Sequence, residues 1–207
     1  MLYLIRHGES IANSKGIYQG QTYDTSLSDL GKQQGLSTVA FLENKELELV
    51  ITSPLKRTSE TADIIAEELD LDIELNENLM EINHGRWEGK SPQDFITQDK
   101  ELLKKYKTSP ESVFMPGGEH TLDVLKRVDE FLQEYEPLDM PSAIVTHDLV
   151  IRMFIVRAIG LPVHNIWKFR LDNCGITTID LKSRQLLTLN ETSHLLGIQA
   201  DPTKQAL

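Results

Sequence analysis

Short apolar runs alternate with amphipathic stretches along most of this chain, and that alternation limits what it can fold into. Residues 2–5 read as a buried strand. Residues 28–43 read as a helix, with Leu30, Leu36, Val39, Ala40 and Leu42 on its apolar side. Residues 47–52 form a second strand. Ser53-Pro54 is then expected to open a helix running to about Leu69, because Ser can cap and Pro suits the first helical position. Residues 71–75 are a short strand candidate. Residues 121–135 carry Leu122, Leu125, Val128, Phe131 and Leu132 at helical spacing. A strand over 142–146 precedes a helix to Ile159, and 176–181 with 185–190 read as a last strand pair turned at 182–184. Strands alternating with helices predict an α/β fold: a three-layer sandwich with a mostly parallel central sheet flanked by helices.

Residues 80–120 break the rhythm. They hold the turn signals Ser91-Pro92, Ser109-Pro110 and Pro116-Gly117-Gly118, with one lysine-rich helix expected near 95–107. We read the 207 residues as one domain, with an insertion or lid at about 82–120 over one end of the sheet. The tail from Asp201 is polar and reads as loose.

Charge narrows the partners. Lys plus Arg is 21 against 32 Asp plus Glu, a net charge of −11. That field repels nucleic acid and anionic membrane surfaces, and it is awkward for small anionic substrates too. The one cysteine, Cys174, excludes an internal disulfide and a Cys-rich metal site. The apolar start of the chain stops at Arg6, too short for a signal-peptide core, and no run approaches membrane-spanning length. A soluble, cytoplasmic protein is expected.

In open α/β sheets, ligands bind outside the carboxyl ends of the strands. Arg6 and His7 follow the first strand. Arg57 lies one turn into the helix after the second. Glu81 follows the third, and His147 and Asp148 follow the fourth, with Asp148 expected at a helix N-cap. Two arginines facing one point suit an oxyanion, most naturally a phosphoryl group. Two histidines offer a nucleophile and a second donor, and a carboxyl offers a general acid.

The segment Leu4-Ile5-Arg6-His7-Gly8-Glu9-Ser10 resembles the signature of the histidine phosphatase superfamily, the phosphoglycerate mutase-like fold. Its companions follow in order. They are Asn13, Gln19-Gly20 and Asp24, then Leu27-Ser28 with Gly31 and Gln34, then Ser53-Pro54-Leu55-Lys56-Arg57-Thr58. Glu81-Ile82-Asn83-His84-Gly85 comes next, with Trp87-Glu88-Gly89, and Pro116-Gly117-Gly118-Glu119 before Arg127. Val145-Thr146-His147 leads to Arg152, and Asn173-Cys174-Gly175 comes near the end. The resemblance implies that His7 is a transiently phosphorylated nucleophile and that Arg6, Arg57 and His147 hold the phosphoryl oxygens. By the same resemblance Asn13 is a further phosphate contact, Gln19 and Gly20 border the substrate, and Glu81 protonates the leaving oxygen. No metal and no cofactor are implied. His7 must then be neutral and Glu81 protonated at the start.

Many relatives carry glycine after the second histidine, where this chain has Asp148. Asp148 or the nearby Glu88 could share the acid role. The expected function is a metal-independent phosphomonoesterase acting on a small phosphorylated metabolite. The alternatives are a phosphoglycerate mutase and a non-catalytic phosphate-binding regulatory module. A mutase needs an arginine pair for the substrate carboxylate, and this segment offers the single Arg86. His84 is expected to be structural or at the rim, and the lysine run to Lys107 a solvated face.

Overall fold

A computed structural model describes residues 1–135 and 140–201. Six strands form one sheet: β1 (Leu2–Arg6), β2 (Leu49–Thr52), β3 (Ile73–Leu75), β4 (Ser142–Thr146), β5 (Ile176–Asp180) and β6 (Gln185–Glu191). Their order across the sheet is β3-β2-β4-β1-β5-β6. The β1/β4, β2/β4 and β2/β3 pairings are parallel, and β1/β5 and β5/β6 are antiparallel. The helices are α1 (Ile11–Ser14), α2 (Asp29–Leu42), α3 (Lys56–Leu69), α4 (Pro92–Phe95), α5 (Lys100–Thr108), α6 (Thr121–Glu134) and α7 (Asp148–Ile159).

The pleat explains the layering. Successive strand residues point to opposite faces. Leu4, Ile51 and Ile144 pack with Val124, Val128, Phe131, Ile151 and Phe154 of α6 and α7. Their neighbours Ile5, Val50, Ala143 and Val145 pack with Leu42, Ala62 and Ile65 of α2 and α3. Every residue of β4 is buried, as expected of a central parallel strand covered on both sides.

Several element boundaries differ from the sequence reading, for local reasons. The helix after β2 starts at Lys56, with Leu55 as a cap that makes no side-chain bond. Ser53 does not cap it in the expected way. Its hydroxyl accepts from the Leu55 N–H at 3.3 Å and lies 3.0 Å from Nε2 of His147. The cap of α7 is His147 rather than Asp148, which is the first helical residue. The single helix expected near 95–107 is two, α4 and α5. The chain breaks at Asp99, whose buried carboxylate takes the Trp87 indole N–H at 2.8 Å and bonds Arg86. Ser28 does cap α2, accepting from the Gly31 N–H at 3.0 Å.

Residues 80–120 share the sheet's core. Trp87 stacks on Phe95 at 4.4 Å, with Tyr18 edge-on to both rings and to His84, and Tyr106 edge-on to Trp87 and His84. These aromatic side chains are continuous with the Leu4/Ile144 face. No helix among the described residues is long and apolar enough to cross a membrane. The tail expected to be loose lies, from 202 onward, outside the described residues.

Candidate active site

Strand register brings the two histidines together. Arg6 pairs with Thr146, and the His7 N–H donates to the Thr146 carbonyl at 3.0 Å. The next residues along, His7 and His147, meet edge-on with ring centroids 5.3 Å apart. Nδ1 of His7 lies 2.7 Å from the Gly8 carbonyl. A carbonyl only accepts, so the ring proton sits on Nδ1 and Nε2 keeps its lone pair. Burial, then Arg57 and Arg6, hold the His7 pKa well below the usual imidazole value. His147 is wholly buried and lowered in the same direction, by burial and then Arg57. Its Nδ1 has no hydrogen-bond partner among the described residues.

The arginines reach the same point from different elements. Arg57, in the first turn of α3, donates through Nε to His7 Nε2 at 3.3 Å. Its Nη1 donates to Asp24 at 2.6 Å and its Nη2 to the Gly20 carbonyl at 3.2 Å. Gly20 therefore serves Arg57 and does not line the cavity. Arg6 donates to the Leu171 carbonyl at 2.6 Å and lies 3.9 Å from Asp148. Asn13 accepts the Ser10 N–H at its carbonyl oxygen, which leaves the amide N–H groups as its remaining donors. Gln19 lines the cavity, but its amide is engaged by Ser10 and Thr25.

Glu81 is held by its own loop. Its Oε1 accepts the Ile82 N–H at 2.9 Å. Arg127 fixes that loop by donating to the Asn78 and Met80 carbonyls at 2.8 and 2.7 Å and to Glu119. The fit is tight: a Cβ on Gly118 would lie 2.2 Å from the Asn83 carbonyl oxygen. Burial, then the charge of Asp148, push the Glu81 pKa up to about 7. The other two carboxylates behave differently. Glu88 accepts the Thr22 hydroxyl and the N–H groups of Tyr23, Thr22 and Gln21, which keep it below the usual carboxylate range despite its partial burial, and it also accepts the His84 N–H. Asp148 accepts from Arg152 at 2.7 and 3.1 Å, and Arg152 with Arg6 hold it below its usual value against burial. Glu88 is a loop anchor and Asp148 an ionised neighbour. Of the three, Glu81 alone is poised to carry a proton near pH 7.

A cavity of about 540 Å³ opens in front of His7. Arg6, Arg57, Asn13 and Glu81 line its inner end, and Tyr18 and His84 its side. His84 is more than a rim residue. It is buried, Nδ1 lies 2.9 Å from the Gln19 carbonyl, and burial brings its pKa to about 4. All three of these histidines are thus neutral, and the positive charge of the cavity comes from arginine and lysine. Arg152, Lys107, Lys168 and Arg170 also line it, against the acids Glu81 and Asp148. Lys107 leaves the lysine run expected to be a solvated face. Arg86 is tied to Asp99 and stands outside the cavity. Among the described residues, no group of three or more His, Cys, Asp or Glu is arranged to hold a metal ion.

A family model for the histidine phosphatase superfamily (branch 1) matches residues 2–192. The chain belongs to the histidine phosphatase superfamily. Its relatives carry several activities by name. Phosphoserine phosphatase 1 of Hydrogenobacter thermophilus is 33% identical over 94% of this chain and 93% of its own length. A probable phosphoglycerate mutase of Yersinia pestis is 29% identical over 94% of each chain. The crystal structure of the alpha-ribazole phosphatase of Shigella flexneri superposes with a TM-score of 0.82 at 29% identity, covering 92% of this chain and 96% of that one. This histidine phosphatase is a mixed α/β protein of the phosphoglycerate mutase-like fold, and its phosphatase relatives accord with phosphomonoester hydrolysis.

The sequence reading missed some partners. Asp24 and Arg152 stood in the quoted motifs without a role, because a motif does not show which charges pair. Ser53 has the sequence signal of a cap but turns to His147. Lys168 and Arg170 carried no local signal at all.

Proposed function

We propose that His7 is the nucleophile of this phosphatase, that Glu81 is its general acid, and that small phosphate monoesters are its substrates. The observation that carries the reading is the pairing of opposite protonation states at one end of one cavity: a buried neutral imidazole whose Nε2 is unprotonated, and a buried carboxyl that keeps its proton near pH 7. Nε2 of His7 attacks phosphorus, the bond to the ester oxygen breaks, and the proton of Glu81 goes to that oxygen. Water then attacks phosphohistidine, the Glu81 carboxylate takes its proton, and phosphate leaves with Nε2 free again. Arg6, Arg57 and Asn13 supply donors to the phosphoryl oxygens. The unpartnered buried Nδ1 of His147 supplies another, with the Ser53 hydroxyl donating to Nε2. The transferred group is metaphosphate-like, so fixed cations account for most of the catalysis and no step calls on a metal.

Hydrolysis is favoured over isomerisation because Arg86, the candidate carboxylate grip, is held by Asp99 away from the cavity. A regulatory module without turnover is disfavoured because nucleophile, cationic clamp and acid all converge. The test is a panel of phosphate esters, with and without 2,3-bisphosphoglycerate, scored for phosphate release and for isomerisation in the wild type and His7→Ala. Phosphate release that His7→Ala abolishes is expected. Isomerisation outpacing release, or turnover surviving in His7→Ala, overturns the reading.

A further inference from the structure

The exposed side of the cavity is held by contacts from three distant parts of the chain. Segment 167–171 forms one wall and is fixed along its length. The Trp167 indole donates to the Tyr106 carbonyl at 2.7 Å. Arg152 lies against the rings of Trp167 and Phe169 at 4.8 and 5.0 Å and donates to the Phe169 carbonyl at 2.8 Å. At its end the Leu171 carbonyl takes Nη1 of Arg6. The same arginine that faces the phosphoryl end therefore sets the position of the wall.

The Trp167–Tyr106 bond joins this wall to α5, and the residue after each partner is a lysine. Lys168 and Lys107 both line the cavity and both are exposed. Neither has an acidic side chain within ion-pair distance among the described residues. Arg170 also lines the cavity but is paired with Asp172. Asp148, the acid on this side, is neutralised by Arg152 and Arg6. Two uncompensated cations at one cavity mouth are notable in a chain of net charge −11. Clefts focus local charge, so the mouth attracts an anion although the whole surface repels one.

We infer that Lys107 and Lys168 form a subsite for a second anionic group on the leaving side of the substrate, a carboxylate or a second phosphate, with Trp167 and Phe169 as its apolar wall. This rests on the reading of the His7 end as the phosphoryl site. The preferred substrates are then small phosphate monoesters whose alcohol itself carries an anion.

The test compares p-nitrophenyl phosphate and glycerol phosphate, which have no second anion, with phosphoserine (carboxylate) and fructose 1,6-bisphosphate (second phosphate). The Lys107→Ala/Lys168→Ala variant is expected to lose about tenfold or more in kcat/KM on one or both doubly anionic esters, mainly through KM. Its rate on p-nitrophenyl phosphate should stay within about twofold of wild type, which also reports correct folding, and the double Lys→Arg variant should keep the preference. The arm that responds tells carboxylate from phosphate. An unchanged rate on every ester, or an equal loss on all four, overturns the subsite alone. A wild type that releases phosphate from none of them overturns the phosphatase reading and the subsite with it.

Discussion

Nε of Arg57 donates to Nε2 of His7 across 3.3 Å, so the guanidinium occupies the lone pair that a phosphoryl group is proposed to take. Asp24 and the Gly20 carbonyl hold the other two nitrogens of Arg57 in place. With burial, the arginine thus keeps His7 neutral, and in the proposed mechanism it turns its N–H groups onto phosphoryl oxygens. Arg57→Ala should lower kcat by about a hundredfold or more, the scale for losing a fixed donor to transition-state charge. It should also raise the His7 pKa, because the Arg57 charge lowers it in the wild type. The acid limb of kcat/KM against pH then moves upward, while Arg57→Lys leaves it closer to wild type. An acid limb indifferent to Arg57→Ala would contradict this coupling.

In the proposed mechanism Glu81 sets the other limb. With its pKa raised to about 7, the acid form is lost as pH rises through that value, so kcat/KM should fall on the alkaline side. In Glu81→Gln, rates on esters with poor leaving groups should drop far more than the rate on p-nitrophenyl phosphate. Stability follows the same sign. An unfolded glutamate ionises near its ordinary value of 4.5, whereas the folded one holds its proton to about 7, so stability from this group declines across that window. Glu81→Gln should therefore be relatively more stable than wild type at pH 8 than at pH 4, as thermal melts would show.

Asp148 contributes to that shift through its charge. Its charge is the second cause of the raised Glu81 pKa. Asp148→Asn should move the alkaline limb to lower pH. It should also destabilise the fold by about 3 kcal/mol, because Arg152 loses the charge that compensates it in a nearly dry setting. A pH profile unmoved in a folded Asp148→Asn protein would show that the two carboxyls do not interact.

The loop that bears His7 depends on a close backbone approach. A Cβ on Gly31 would lie 2.0 Å from the Glu9 carbonyl oxygen, and one on Gly8 would lie 2.6 Å from the Gly31 carbonyl oxygen. Gly31→Ala must push α2 away from the segment bearing His7. We expect a loss of about 2 kcal/mol or more, a Tm drop of about 4 °C or more, and reduced kcat. A Tm within a degree of wild type would argue that the loop yields freely.

Cys174 lies under the site, its N–H donating to the Arg6 carbonyl at 2.8 Å, and burial pushes its thiol up to about 12. It should resist alkylation by iodoacetamide in the native protein and react once unfolded, with no loss of activity before unfolding. Mass spectrometry of the alkylated protein gives the answer directly.

Much of this molecule is written in local pattern. The short apolar runs and the helical apolar spacings specify the sheet, its helices and the strand ends at which Arg6, His7, Arg57 and His147 gather, because parallel strands must deliver their carboxyl ends to one edge. Boundaries at Lys56 and Asp99 were not legible. A side chain such as Ser53 or Asp99 chooses between a local cap and a distant partner, and only the distant partner decides. The same holds for chemistry. Sequence alone determined which residue types meet at the site. Tertiary structure decided their protonation, through burial and through neighbours far along the chain, and it decided which cations reach the cavity. Arg86 was claimed by Asp99, while Lys107 and Lys168 were brought to the mouth by one hydrogen bond between Trp167 and Tyr106, 61 residues apart.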